Sequence, residues 1–234
     1  MKTFYYYGLG KIFSKEFSET LEAAILSLLA PEEPCRFLVT KCYDADQIAY
    51  LQVIHRLKQR DNSGRFSLTF LGCLPQDKEN FLSELRWNKN LQAPLAVPDE
   101  YLLSPELESE NFHHTHRQVV RQAIGLCDHL LFYYCSILSA SNVETQIPYI
   151  INRCRSGELE LKDLFSVEEL RHAYSCVRLL PEKKQQALLA LDDRRTRKEM
   201  SRKLAEEEGI TERGIYSRFC DARLQLRKIL PVPK

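Results

Sequence analysis

The sequence has no long uninterrupted apolar segment, and this absence excludes one class of protein. No stretch of its 234 residues approaches the roughly 18 consecutive apolar residues that a membrane-spanning helix needs. The first residues also lack the apolar core and small-residue cleavage site of a secretory signal peptide. We therefore expect a cytoplasmic protein with no membrane partner.

The sequence also lacks any Cys-x-x-Cys pair, although it contains eight cysteines. No set of Cys, His and acidic residues has the spacing of a zinc site. The one histidine cluster, formed by His113, His114 and His116, has no recognisable partner ligands. We predict buried free thiols, as in reducing compartments, and no metal site.

A complete glycine-rich phosphate loop is missing as well. Gly8 and Gly10 form one Gly-x-Gly pair, but the third glycine of a dinucleotide-binding fingerprint is absent. No nucleophile can be paired with a base from the sequence. We therefore name no catalytic residue and favour a protein that is not an enzyme.

Charge is present but unevenly distributed along the chain. Residues 166–234 contain 16 Lys and Arg against 11 Asp and Glu, a net charge of +5. The totals of 33 and 32 leave 17 and 21 for residues 1–165, a net charge of −4. A basic C-terminal part suits a polyanion such as nucleic acid, whereas an acidic N-terminal part does not.

Apolar and aromatic runs alternate with helical patterns in the first 164 residues. This alternation predicts an α/β fold with a Rossmann-like, mainly parallel sheet. Residues 88–112 contain three prolines and are predicted to form an extended loop. The predicted strands are Thr3–Tyr7, Cys35–Thr40, Phe66–Leu71, His129–Cys135 and an edge strand at Leu159–Leu161.

From Phe165 onwards the pattern is helical throughout. We therefore predict two domains, an α/β domain over residues 1–164 and an all-α domain over 165–234. No linker rich in Gly or Ser separates them. The predicted helices of the second domain are Val167–Leu179, Glu182–Leu191, Arg197–Glu208 and Glu212–Ile229.

The loops after the predicted strands are the candidate ligand site. In parallel sheets, ligands bind beyond the carboxyl ends of the strands, which predicts a nucleotide or nucleotide-derived ligand here. Arg117 and Arg121 are one helical turn apart and are predicted to clamp an anion. Ordinary turn chemistry and helix capping remain the alternative, and the aromatic runs Tyr5–Tyr7 and Phe132–Tyr134 are assigned to the core. The other candidate ligand residues are Gly8, Gly10, Lys11, Thr40, Asp44, Asp46, Ser139, Ser141 and Asn142.

The segment Thr196–Lys228 predicts two helices joined by a tight turn. Gly209 suits a left-handed C-cap, and Thr211 suits the N-cap of the second helix. This is the pattern of a helix-turn-helix, whose second helix enters the DNA major groove. The expected buried seam is Met200, Leu204, Ile210, Ile215, Phe219, Ala222 and Leu226.

The polar residues of this segment divide into two predicted classes of DNA contact. Residues on the first turns of the second helix are placed to reach base edges: Thr211, Glu212, Arg213, Tyr216, Ser217 and Arg218. Residues on and before the first helix are better placed for phosphates: Arg194, Arg195, Arg197, Lys198, Arg202 and Lys203. The alternative is a solvated charged face on a bundle that binds protein.

The C-terminal part resembles region 4 of the sigma-70 family and related helix-turn-helix domains over roughly Leu179–Leu230. The resemblance rests on Leu180-Pro181-Glu182, on the apolar run Ala187–Leu191, on Glu199–Thr211 and on the tail Ala222–Arg227. The run Glu206–Glu208 before the turn is a departure from the family pattern. The resemblance implies a DNA-binding module, with RNA polymerase as a further candidate partner.

The N-terminal part resembles the SLOG superfamily of Rossmann-like nucleotide-binding domains, which includes LOG-type phosphoribohydrolases and DprA-like proteins. The resemblance rests on Gly8–Lys11, Val39–Ala49 and His116–Tyr134. Thr40-Lys41-Cys42 and Ser139-Ala140-Ser141 stand where the family has glycine-rich loops. The resemblance therefore implies the fold with a degenerate site.

Together these features predict a DNA-binding transcriptional or mobile-element regulator with a degenerate nucleotide-sensing domain. A homodimer is compatible with this prediction, because such modules read paired half-sites. A nucleotide-processing enzyme of LOG type and a non-catalytic protein-interaction adaptor remain the alternatives.

Overall fold

We describe a computed structural model of the chain in two compact units. The structure describes residues 1–8, 15–41, 44–61, 63–88, 94–135, 138, 145–164, 167–193 and 196–229. The first unit, the α/β unit, comprises Met1–Tyr133 and Ser141–Leu164. The second, the helical unit, comprises Tyr134–Ala140 and Phe165–Lys234.

A six-stranded sheet forms the centre of the α/β unit. Its strand order is β4-β3-β2-β1-β5-β6, and every neighbouring pair is parallel. The order reverses between β1 and β5, as it does in Rossmann-like sheets, so the predicted α/β class is confirmed. The strands are β1 Lys2–Gly8, β2 Cys35–Val39, β3 Phe66–Gly72, β4 Glu100–Leu103, β5 His129–Tyr133 and β6 Glu160–Asp163.

Helices connect these strands, because a parallel pair needs a crossover connection. A short 3-10 helix, Pro105–Leu107, also follows β4. The α-helices of this unit are α1 Lys15–Leu28, α2 Ala45–Arg60, α3 Pro75–Asn88, α4 Phe112–Leu126 and α5 Ile147–Arg155.

Aromatic side chains of the central strands make up much of the core. The Tyr6 ring lies 5.9 Å from that of Phe17 on α1 and 5.7 Å from that of Tyr50 on α2. The core assignment of the aromatic runs is confirmed except for Tyr134, which is half-buried, since the strands are covered by helices as parallel sheets require. The described members at most 7% exposed are Tyr5, Tyr6, Tyr7, Phe132 and Tyr133.

Strand β4 lies inside the segment that was predicted to be an extended loop, so that prediction is wrong. The strand has only four residues, and its side chains alternate between exposed and half-buried. It is held by ladder bonds to β3 and by Asp99, whose carboxylate accepts the Leu68 backbone N–H at 2.7 Å and pairs with Lys58. A short edge strand of this kind carries little apolar signal.

The helical unit contains α6 Val167–Val177, α7 Glu182–Ala190, α8 Arg197–Glu208 and α9 Glu212–Ile229. The last two helices begin and end at the predicted residues. Pro181 stands at the N-cap of α7. The predicted seam is correct for its α9 members, since Ile215, Phe219, Ala222 and Leu226 are at most 2% exposed. It is wrong for Ile210, which is 38% exposed because it lies in the turn.

The cysteines of the described residues are free thiols. Most of them are buried, as predicted, but Cys154 is half-buried and Cys220 is exposed on α9. Cys42 lies outside the described residues. Among the residues that the structure describes, no helix is both long and apolar enough to cross a membrane.

Candidate functional site

Gly209 and Thr211 determine the conformation of the turn between α8 and α9. Gly209 ends α8 with φ +65°, a left-handed conformation that side chains disfavour. Thr211 caps α9, since its Oγ1 accepts the Gly214 backbone N–H at 3.1 Å. Both capping predictions are confirmed.

An ion-pair cluster ties the helices of this unit together. Arg218 Nη1 on α9 donates to both carboxylate oxygens of Glu208 on α8, at 2.7 and 2.8 Å. Lys183 on α7 lies 3.4 Å from the same carboxylate. The hydrogen bond from Arg218 holds the pKa of the Glu208 carboxyl below its ordinary value. The guanidinium of Arg218, which was predicted to reach base edges, is therefore engaged within the unit.

Arg197 is a second predicted DNA contact that the fold uses internally. Its Nε donates to the Leu191 carbonyl at 2.6 Å and its Nη2 to the Asp192 carbonyl at 3.2 Å. Its guanidinium also lies 5.0 Å from the centre of the Phe219 ring. These bonds satisfy carbonyls at the end of α7, which a helix leaves unpaired, so the guanidinium of Arg197 is engaged within the unit.

The other predicted DNA contacts of the described residues remain at the surface. Lys198, Arg202 and Glu212 line one concave site together with Glu199, which the sequence analysis did not single out. Ser201 Oγ lies 3.4 Å from Glu212 Oε2, which places the start of α9 beside the middle of α8. Tyr216 is half-buried, and Arg194 and Arg195 lie outside the described residues. The exposed members are Lys198, Arg202, Lys203, Thr211, Glu212, Arg213 and Ser217.

This surface carries both cations and carboxylates, since Glu199 and Glu212 line the same concave site as the two cations. Two cations of α8, Lys198 and Arg202, adjoin the first turn of α9. Arg213 is exposed on that turn. The start of a helix also carries a partial positive charge and unpaired N–H groups, which favour phosphate.

In the α/β unit, the predicted acidic ligand residues are engaged within the protein. Asp46 is 2% exposed and accepts a hydrogen bond from the Tyr6 hydroxyl at 2.8 Å. Asp44 forms an ion pair with Lys41. Thr40 Oγ1 lies 3.2 Å from the Tyr5 hydroxyl. Of these three predicted ligand residues, Asp46 is the buried one.

The two arginines of the clamp predicted on α4 make different contacts. Arg117 Nε donates to the His113 carbonyl of its own helix at 3.0 Å. Arg121 lies over the ring of Tyr149 on α5, at 4.2 Å from its centre. The two guanidinium groups therefore have separate internal contacts rather than one shared anion site.

The glycine-containing loop is described only at its first residue. Gly8 ends β1, and a Cβ built on it would lie 2.8 Å from Tyr6 Cζ and 3.1 Å from Tyr133 Cβ. Close packing inside the unit therefore requires a glycine there. Gly10, Lys11, Ser139, Ser141 and Asn142 lie outside the described residues.

A cleft of about 300 Å³ lies beyond the carboxyl ends of β2 and β3. It is bounded by Thr40 and Lys41, by Phe70–Leu74, by residues of α3, and by the segment from Glu108 to the start of α4. Asp77 on α3 orders one wall by accepting the backbone N–H groups of Cys73 and Leu74, each at 2.8 Å. The loops after β2 and β3 were predicted to be part of the ligand site, and Thr40 was named there, but the sequence indicated no residue of α3 or of the segment from Glu108 to the start of α4.

His116 is the histidine that lines this cleft. Burial lowers the pKa of its imidazole, and the neighbouring Lys41 charge lowers it further. The His113–His116 region lacks metal-site geometry: within the described residues, no group of three or more His, Cys, Asp or Glu side chains is placed to hold a metal ion.

Comparison of the chain with family models, with curated proteins and with solved structures finds no match.

Proposed function

We propose that the helical unit binds double-stranded DNA through a surface formed by α8 and the first turns of α9. The carrying observation is that Lys198 and Arg202 on α8 line one concave site with Glu212 at the start of α9. Exposed Arg213 and Ser217 follow on the first turns of α9. In a helix-turn-helix, those turns lie in the major groove while the preceding helix contacts the backbone.

The resemblance to sigma region 4 supports the same assignment, as does the net positive charge of residues 166–234. In this proposal, Lys198, Arg202 and Lys203 contact phosphates, whereas Arg213, Ser217 and Thr211 face base edges. Arg197 and Arg218 position the two helices through their internal bonds.

The α/β unit completes the proposed regulator as a sensing domain of the SLOG type. Its sheet reverses strand order between β1 and β5, and ligands of such sheets bind in the crevice at that point. A nucleotide is the proposed ligand, on the resemblance. A thermal-unfolding series with nucleoside mono-, di- and triphosphates tests this part, and no shift with any of them rejects it.

The DNA proposal is tested by fluorescence anisotropy of the full chain with labelled genomic DNA fragments. Arg202→Ala combined with Arg213→Ala is expected to weaken binding about tenfold or more, since one base contact alone is worth about 1–3 kcal/mol.

The matched control is Arg86→Ala combined with Arg155→Ala, which removes two exposed arginines of the α/β unit. This control changes the net charge equally and is expected to leave affinity within about twofold. Equal losses in the two double variants would reject the proposed surface. Failure of all the proteins to bind DNA, with capture of a protein partner, would favour the adaptor alternative.

A further inference from the structure

The cleft beyond β2 and β3 has an apolar floor. Phe70 and Phe81 are each 2% exposed, and their ring centres lie 4.6 Å apart. Val119 of α4 is 5% exposed and lines the same space. The crevice between β1 and β5 proposed above for a nucleotide lies at other strands, and Thr40, one of the predicted ligand residues, also lines this cleft.

The rim of the cleft carries an excess of negative charge. Four carboxylates line it: Asp77, Glu84, Glu108 and Glu110. Lys41 also lines it, but its ammonium forms an ion pair with Asp44. Burial holds the His116 imidazole neutral near pH 7, because its pKa is lowered. An anionic phosphate would therefore meet like charges here, whereas a cation would be attracted.

An exposed aromatic ring extends the apolar surface to the mouth of the cleft. Phe112, at the start of α4, lines the cleft and is 71% exposed. Its ring stacks on that of His116, with centres 6.4 Å apart. Aromatic faces attract ammonium groups within about 6 Å. Glu108 and Glu110 are also exposed beside it.

We propose that this cleft binds a small organic amine, with its apolar body on Phe70, Phe81 and Val119 and its ammonium group at Glu108, Glu110 and Phe112. The cleft volume of about 300 Å³ is at the lower end of small-molecule sites, which fits an amine carrying a single ring. The apolar floor holds the body of the ligand, and the carboxylates select its charge.

Three ligands of nearly equal size but different charge test the proposal. Phenethylamine, 2-phenylethanol and phenylacetate are titrated into the full chain by calorimetry at pH 7 and low salt. The expected order of affinity is amine, then alcohol, then acid, with the amine about fivefold or more tighter than the alcohol. Equal affinities, tighter binding of the acid, or no binding of the amine at millimolar concentration would overturn the proposal.

A variant pair assigns the selectivity to the rim. Glu108→Gln with Glu110→Gln is expected to weaken amine binding about fivefold while leaving alcohol binding unchanged, because exposed ion pairs are each worth a few-fold in affinity. The control, Glu79→Gln with Glu106→Gln, removes two exposed carboxylates that do not line the cleft. Equal effects of the two double variants on amine binding would overturn the assignment.

Discussion

At the scale of single residues, the fold engages several side chains whose chemistry suggests a ligand. Arg197, Arg218 and Asp46 are residue types that bind phosphate or ribose, yet each has a partner inside its own unit. The sequence shows the charge of a side chain but not whether an internal partner has already satisfied it. Arg213 and Arg202 differ from them in being exposed, and that difference separates DNA contacts from positioning residues in our proposal.

Gly8 offers a residue-scale prediction about the end of β1. Gly8→Ala is expected to lower the free energy of unfolding by about 1–3 kcal/mol, as overpacking does. The new Cβ would lie 2.8 Å from Tyr6 Cζ, and Tyr6 is fully buried. Urea denaturation measures the change, with Ser83→Ala on the exposed side of α3 as the control. Stability within about 0.5 kcal/mol of the parent would show that the strand end accommodates a side chain.

The burial of His129 predicts how the free energy of unfolding depends on pH. Its imidazole is 6% exposed and stacks on Phe4 at 4.8 Å between ring centres. Burial lowers its pKa below the ordinary 6.5, and Glu160, with Oε2 at 3.2 Å from Nδ1, opposes this only in part. The unfolded chain therefore binds the proton more readily than the folded one. The contribution of the neutral His129 to the free energy of unfolding is present in full above pH 6.5. It is lost as the pH falls towards the folded-state pKa.

The corresponding measurement is the free energy of unfolding between pH 7.5 and about 5. The parent chain is expected to lose stability over this range, and His129→Phe, which retains a ring against Phe4, is expected to lose less. A variant with the same slope as the parent would assign the pH dependence to other groups, His116 among them.

At the scale of elements, residues near the turn were sufficient to predict α8 and α9, whereas β4 forms only through pairing with a distant strand. Gly209 and Thr211 define the turn by their own conformational preferences, so the sequence predicted both helix boundaries. Strand β4 depends on hydrogen bonds from β3, about thirty residues earlier in the chain. No propensity within a four-residue segment reports such a partner.

Gly209 in the turn and Gly214 in the first turn of α9 give opposite predictions. Gly209→Ala is expected to destabilise the helical unit by about 1–2 kcal/mol, because φ +65° is unfavourable for an L-residue. Gly214→Ala is expected to stabilise it by about 0.5–1 kcal/mol. The nearest atom to a Cβ there is Thr211 Oγ1 at 3.5 Å, and the position is helical. Thermal unfolding followed by circular dichroism compares the two, and effects of the same sign would contradict the geometry of the turn.

At the scale of the whole molecule, the sequence predicted the fold class and a ligand site in the loops after the strands, but not which side chains form the cleft. Alternating strands and helices are sufficient to predict a parallel α/β sheet. The cleft combines side chains from the ends of β2 and β3, from α3 and from the start of α4. Their proximity is a property of the tertiary fold, and no spacing between Lys41, Asp77 and Glu110 in the sequence indicates it.

The two parts of the chain also differ in net charge, which is a property of the whole molecule. Residues 166–234 carry net +5 and residues 1–165 net −4. A polyanion is therefore expected to bind the helical unit and to be repelled by the α/β unit. The amine site proposed in the α/β unit agrees with the same distribution of charge.

The most direct test of the central claim is the salt dependence of DNA binding by the full chain. If α8 and α9 bind DNA through Lys198, Arg202 and Arg213, the logarithm of the association constant falls linearly with that of the salt concentration. Each phosphate contact adds about 0.9 to the slope. Lys198→Ala with Arg202→Ala is then expected to reduce the slope by about 1 to 2. A slope that does not change in this variant, or an affinity independent of salt, would contradict the account.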